Sequence, residues 1–263
     1  MKENTDFYAE CIGNIATAAE KAAALQLSLF RSHALKMTTK QNAYDVVTEA
    51  DKGSEKIITD FLNEVYPTHS ILSEESGASG DEAAEFRWVI DPLDGTTNYS
   101  QGLPTFCISI ALQHKGETVG ALVYAPYLRE MYTAVKGRGA FVNGTTPLRC
   151  AGHKPLEQMV MATGMPYDKK ENPDNNLKYI NRLAPKVRGL RRLGSAALDL
   201  CYVAAGYFDA YWELNLNAWD VEAGLLLVRE AGGETTLLSD HRGMSVGAGS
   251  KSGLANLLEE LRD

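Results

Sequence analysis

Residues 88–99, WVIDPLDGTTNY, combine side chains that could hold a hard cation and a phosphate together. An apolar run, Trp88-Val89-Ile90, leads straight into Asp91. Asp94 follows three residues later, then Gly95, Thr96 and Thr97. Pro92 has no N–H and a fixed φ, which predicts that the strand ends there and that Asp91 keeps an extended backbone. Gly95 tolerates positive φ and the close approach of a ligand. Two carboxylates, a hydroxyl and turn carbonyls at the end of a buried strand are hard oxygen donors of the kind Mg²⁺ takes. A helix starting near Thr96 would add free N–H groups for a phosphate.

Two look-alikes are excluded by residue type. In the DxDGT loop of the haloacid dehalogenase phosphatases, a nucleophilic Asp stands two residues before the second Asp. Here that position is Pro92, which cannot attack anything. No GxxxxGK[ST] run exists, so a P-loop fails as well. Three further acidic segments occur. Residues 45–51 (DVVTEAD) precede a helical pattern, and 73–77 (SEESG) follow Ile71-Leu72. Residues 218–223 (AWDVEA) open a helix that closes at Gly232-Gly233. Taken singly, Glu74 and Glu75 read as a solvated acidic turn. Asp220 alone reads as a helix-start residue facing the dipole.

Together these four segments, in this order and spacing, resemble the inositol monophosphatase family of Mg²⁺-dependent, lithium-sensitive sugar phosphatases. The segment 194–199 (GSAALD) resembles its bacterial members. The resemblance implies a layered α-β-α-β-α sandwich of the α/β (α+β) class, two or three Mg²⁺ per subunit, and a homodimer. It assigns Glu74, Asp91, Asp94, Asp220 and the carbonyl of Leu93 to the metals, with Asp91 bridging two of them. It makes Thr96 and Glu74 the groups that orient and deprotonate the attacking water, with Asp51 hydrogen-bonded behind Thr96. A metal that itself acidifies the water removes the need for a histidine base. The phosphate is expected on the N–H groups of Gly95 and Thr96. Gly194, Ser195, Ala196, Glu213 and Asp220 are the expected substrate contacts, with Glu213 accepting hydrogen bonds from ring hydroxyls. Lys40 matches a family lysine near the site. Asn217 stands where family members often carry a histidine, and that departure bears on substrate preference.

Composition narrows the alternatives. The chain has 263 residues, 44% of them hydrophobic, with a net charge of −8. That length supports one large unit, read here as 1–263 with sub-regions of about 1–150 and 151–263. A nucleic-acid partner would need a basic face. The one arginine cluster, Arg188, Arg191 and Arg192, reads as solvated surface. No apolar stretch is long enough for a membrane span, and the start MKENTDFYAE lacks a signal-peptide core. Four dispersed cysteines without CxxC read as reduced thiols of a cytoplasmic protein. Five histidines without a close pair argue against zinc. The expected partner is a small phosphate ester. Inositol monophosphate leads, and fructose 1,6-bisphosphate, histidinol phosphate and 3′-phosphoadenosine 5′-phosphate are rivals. The reading from a different class is a regulatory binding protein that keeps the fold.

Periodicity supplies the elements that must position these groups. Apolar residues at helical spacing predict helices over 7–31 and from about 51 to 66, the latter with Thr48 as cap and Pro67 as stop. Strands are expected at 88–90, 106–112, 118–124 and 131–135, and Asn143-Gly144 signals a type I′ hairpin. Beyond residue 150 the pattern alternates. It gives a strand at 159–163, a helix over 174–185, a helix over 195–205 and a strand at 210–214. A helix over 219–231 and a last helix carrying Leu254, Leu257, Leu258 and Leu261 complete it. Tyr207, Phe208, Tyr211 and Trp212 read as core or subunit-interface aromatics.

Overall fold

The computed structural model describes residues 2–32, 37–39 and 46–262. Lys40 and Asp45, both used in the sequence reading, lie outside them. The helices in chain order are α1 (Lys2–Leu29), α2 (Glu49–Val65), α3 (Thr96–Ser100), α4 (Leu177–Leu183), α5 (Ala196–Ala204), α6 (Ala218–Glu230) and α7 (Lys251–Glu260). They alternate with two large sheets in five layers, the expected α-β-α-β-α order.

The outer layer is α1 and α2. Cys11, Ile15, Ala18, Ala19 and Ala22 recur on one face of α1 and are fully buried. They meet Ile58 and Leu62 of α2 and, from the sheet beneath, Trp88, Ile90, Ile108 and Ile110. That sheet has eight strands. Their order is Thr146–Pro147, Ala140–Val142, Glu130–Val135, Glu117–Ala125, Cys107–His114, Phe86–Asp94, Ser70–Ser73 and Gly77–Ser79. All neighbours are antiparallel except Ser70–Ser73 beside Phe86–Asp94, which run parallel. The middle layer, α5 and α6, is apolar nearly all round because it is covered from both sides. The second sheet orders Gly189–Arg191, Val160–Thr163, Ala210–Leu216, Met244–Gly249 and Glu234–Ser239. Its far face packs on α4 and α7 through Met159, Met161, Leu183, Trp212 and Leu257.

Most predicted elements form within a few residues of their expected ends. The hairpin turn has Asn143 and Gly144 at φ 51° and 72°, as a type I′ turn requires. Three differences have physical causes. α1 begins several residues before position 7, because a long helix already anchored along a sheet extends with little further nucleation cost. The helix expected over 174–185 is only Leu177–Leu183, since Asn176 holds a left-handed φ of 74° and breaks continuity before it. The strands Glu234–Ser239 and Met244–Gly249 were not anticipated. They are rich in Thr, Ser and Gly, and Gly247 and Gly249 leave room for Leu254 and for the backbone of Asp209. Of the four aromatics read as core or interface, Tyr211 and Trp212 are fully buried and Phe208 nearly so, while Tyr207 is 63% exposed.

Pro92 gives the most consequential correction. It does not end the strand, which runs from Phe86 to Asp94. Asp91 pairs with Ser109 and Asp94 with Cys107, so three steps on one strand match two on the other. That is a β-bulge, placed where proline cannot donate to the ladder. Residues three apart on a regular strand face opposite sides. The extra residue puts both aspartates on the side shared by Ser109 and Cys107.

The two middle helices cross closely at Gly224. A Cβ there would stand 2.6 Å from Cβ of Leu200. Gly224→Val should therefore destabilise the fold by about 1–3 kcal/mol through overpacking, read as a lower urea midpoint with an unchanged m-value.

Candidate active site

The bulge opens at the N-termini of the middle helices, and each aspartate of the site has one oxygen engaged by the fold. Asp91 Oδ1 accepts the N–H of Leu93 at 2.9 Å. Asp94 Oδ2 accepts the hydroxyl of Ser195 at 2.6 Å and the N–H of Ala197 at 2.8 Å, which places it on the first turn of α5. Asp220 Oδ2 accepts the N–H of Asn217 at 2.7 Å and closes a capping box on α6. The second oxygen of each takes no part in these bonds.

Asp51 differs. Its Oδ2 accepts from the N–H and hydroxyl of Thr48 at 2.8 and 2.5 Å, completing the expected cap of α2. Its Oδ1 lies 2.9 Å from Oγ1 of Thr96, the contact expected behind that threonine. Gly95 caps the five-residue α3 at φ 90°, and a Cβ there would stand 2.8 Å from the carbonyl oxygen of Thr105. Asn98 donates to the carbonyls of Thr105 and Leu193, both at 2.7 Å, and so ties the bulge loop to the loop carrying Gly194.

The electrostatics are those of a crowded anionic site. Burial, then the charges of Glu74, Asp94 and Asp220, push the Asp91 carboxyl well above its ordinary value. Burial, then Glu74, does the same to Asp220, although it keeps some exposure to the cleft. Burial raises Asp94 and Asp51 to about 6, against the hydrogen bonds that favour their ionised forms. Among the described residues, the acidic side chains stand near one another without closing into a ready-made ring of metal ligands. The donor set nevertheless fits a hard divalent cation. It is all oxygen, it is buried or half-buried, and its mutual repulsion is the kind that positive charge relieves.

The cleft runs from Asp94 and Asp220 past Gly194, Ser195 and Ala196 to Glu213. Burial raises Glu213 to about 7. The hydroxyl of Tyr211, which donates to its Oε2 at 2.7 Å, and Arg192 both work against that rise. The sequence reading gave Ser195 to the substrate. In the structure it is buried, caps α5 and donates to Asp94.

The profile of the inositol monophosphatase family matches residues 9–261. The chain belongs to that family. It is accordingly a phosphomonoesterase. It is 40% identical over 230 residues to an inositol-1-monophosphatase of Caulobacter vibrioides, covering 85% of this chain and 90% of that one. It is 47% identical over 208 residues to the Nus factor SuhB of Pseudomonas aeruginosa, covering 78% and 75%. Among solved structures, the inositol monophosphatase of Anabaena superposes with a TM-score of 0.85 at 36% identity, covering 96% of this chain and 95% of that one.

Within the family fold, several residues at the site were missed by sequence reasoning. Arg192 was read as solvated surface, yet it lines the cleft and acts on Glu213. Gln26 of α1 is fully buried and donates to the carbonyl of Pro92 at 2.7 Å, anchoring the bulge. A polar residue amid α1's apolar stripe was the available signal. Asn98 and Tyr211 carried none, since their partners are distant or alternate along a strand.

The raised carboxyls fix a pH dependence. In chelator, the native protein holds protons on Asp51, Asp94 and Glu213 up to about pH 6–7, whereas the unfolded chain releases them near its ordinary values of 3.8 and 4.5. Their contribution to stability is complete below those lower values and is lost as pH rises through 6–7. The melting temperature in EDTA should therefore fall from pH 5 to pH 8. Added Mg²⁺ should raise it more at pH 8 than at pH 5, as scanning calorimetry would show.

Proposed function

We propose that this phosphatase hydrolyses inositol monophosphate or a related polyol phosphate with Mg²⁺. The observation that carries the reading is the shared design of Asp91, Asp94 and Asp220. Each gives one oxygen to the fold, and burial and neighbouring acidic side chains raise all three. On this reading Glu74, Asp91, Asp94, Asp220 and the Leu93 carbonyl hold two or three cations. Cations there would neutralise charge developing on the phosphate and make an attacking water more acidic.

The chain's own residues do the rest. If the Thr96 hydroxyl donates to Asp51, its oxygen is left to accept from the water and aim it. Glu74, across from Asp91, takes the water's proton. The N–H groups of Gly95 and Thr96 bear on the phosphate. Glu213 accepts hydrogen bonds from ring hydroxyls and orients the alcohol half of the ester. The same reading carries lithium sensitivity, a homodimer, and a cytoplasmic setting for four free cysteines. No described helix is long and apolar enough to cross a membrane. The relatives named Nus factors support a second reading, in which the fold also serves as a regulatory binding partner. A substrate panel at fixed Mg²⁺ separates inositol phosphate from fructose 1,6-bisphosphate, histidinol phosphate and 3′-phosphoadenosine 5′-phosphate. Turnover of none of them would leave only the regulatory role.

Asp220→Asn should lower kcat by about a hundredfold or more in saturating Mg²⁺. The carboxamide oxygen can still accept from Asn217, so the α6 cap and the melting temperature should survive. Near-normal kcat would remove Asp220 from the metal site.

Glu213→Ala should cut kcat/KM for inositol 1-phosphate by about ten- to a hundredfold, the worth of a charge-assisted contact to hydroxyls. The loss on p-nitrophenyl phosphate, which lacks those hydroxyls, should be much smaller. Equal losses on both substrates would place Glu213 on the metals or in folding instead.

A further inference from the structure

Glu213 does not choose its own position. Its carboxylate lies against the backbone of Gly164, at the end of the adjacent parallel strand Val160–Thr163. A Cβ on residue 164 would stand 1.8 Å from Oε1, 2.0 Å from Cδ and 2.1 Å from Oε2 of Glu213. Gly164 does not have positive φ, so its backbone is open to any residue type. Glycine is needed there for the space it leaves, not for a turn.

The backbone at 164 is also prevented from retreating. The hydroxyl of Thr163 donates to the carbonyl of Trp212 at 2.6 Å. The side-chain amide of Asn176 donates to the Gly164 carbonyl at 2.6 Å and to the Thr163 hydroxyl at 2.8 Å. Its oxygen in turn accepts the indole N–H of Trp212 at 2.6 Å. Thr163, Asn176 and Trp212 are all essentially buried. A fully satisfied buried network of this kind is rigid. Tyr211 also donates to Oε2 of Glu213. The carboxylate is thus held between one tyrosine hydroxyl and one missing side chain. The flexible end of Glu213 is the part of this contact that can move.

We infer that Gly164 is a positioning residue that sets substrate specificity, its missing side chain being the seat in which Glu213 is held to face the cleft. Thr163 and Asn176 keep that seat in place. Met165, the next residue, lines the same cleft, so the seat is continuous with its wall. The inference rests on the reading of Glu213 as the acceptor of substrate hydroxyls.

The test is a cycle of Gly164→Ala, Glu213→Ala and the double variant, assayed on inositol 1-phosphate and p-nitrophenyl phosphate. Gly164→Ala should lower kcat/KM for the inositol ester by about tenfold or more, chiefly through KM, and lower the p-nitrophenyl activity much less. In the Glu213→Ala background it should change either value by less than about twofold, since no carboxylate remains to displace. Equal losses in both backgrounds, or unaltered selectivity of Gly164→Ala, overturn the inference. Should Gly164→Ala melt early, the double variant regains its melting temperature if the contact is the cause. No recovery overturns it. A crystal structure of Gly164→Ala should show the carboxylate moved from the Tyr211 hydroxyl. A carboxylate in place over a shifted 163–165 backbone overturns the inference. Unchanged selectivity of Glu213→Ala alone overturns the underlying reading of Glu213, and that result is separable because the crystal structure reports the contact whatever the substrate.

Discussion

The site depends on a one-residue irregularity in a buried strand. Without the bulge at Pro92 and Leu93, Asp91 and Asp94 would point to opposite faces of the sheet, one into the α1/α2 layer and one toward α5. The bulge turns both to one side, and proline makes the unpaired position cost little because it has no N–H to lose. Gln26 then fixes the buried carbonyl of Pro92 from the outer layer. The outermost helix of the molecule thereby holds a loop that faces the middle layer. Packing of α1 against the sheet and the geometry of the acidic cluster are one problem.

Gathering carboxylates in a buried place opposes folding, and the chain offsets this with helix termini. Asp51, Asp94 and Asp220 each accept N–H groups at the start of a helix: α2, α5 and α6 respectively. Those N–H groups would otherwise lack partners, and the helix dipoles favour negative charge there. Asp94 and Asp220 thus cap a helix with one oxygen and keep the other out of these bonds, whereas Asp51 gives its second oxygen to Thr96. Burial, and after it repulsion among the group, still raises their proton affinity. The folded protein thereby concentrates buried acidic groups whose repulsion a bound cation would relieve.

Much of this was legible in the sequence, because the acidic segments are local. Asp91, Asp94 and Thr96 share one run, and Asp220 sits at a recognisable helix start. Thr48 and Asp51 announced their cap. What was not legible depends on pairing between distant strands. The continuation of the strand past Pro92 follows from Ser109 and Cys107 opposite, which no local rule reveals. Arg192 looked like surface because its role comes from Glu213, twenty-one positions away, reaching the same cleft. The strands after residue 233 were hidden because their glycines serve helix α7 and the neighbouring backbone rather than an apolar alternation.

The five-layer stacking has a consequence for how such a protein can change over generations. α5 and α6 lie between two sheets, so the aspartates at their N-termini are held by elements with no freedom to shift. The cleft's other wall, Met165, Tyr167 and Arg192, projects from the loops that follow the strands Val160–Thr163 and Gly189–Arg191 of the second sheet. On the proposed reading of the cleft, substitutions there would alter what fits while leaving the interior packing in place. On the same reading, a lineage can tune its substrate through these loops, around the fixed seat of Glu213, while inheriting its chemistry intact.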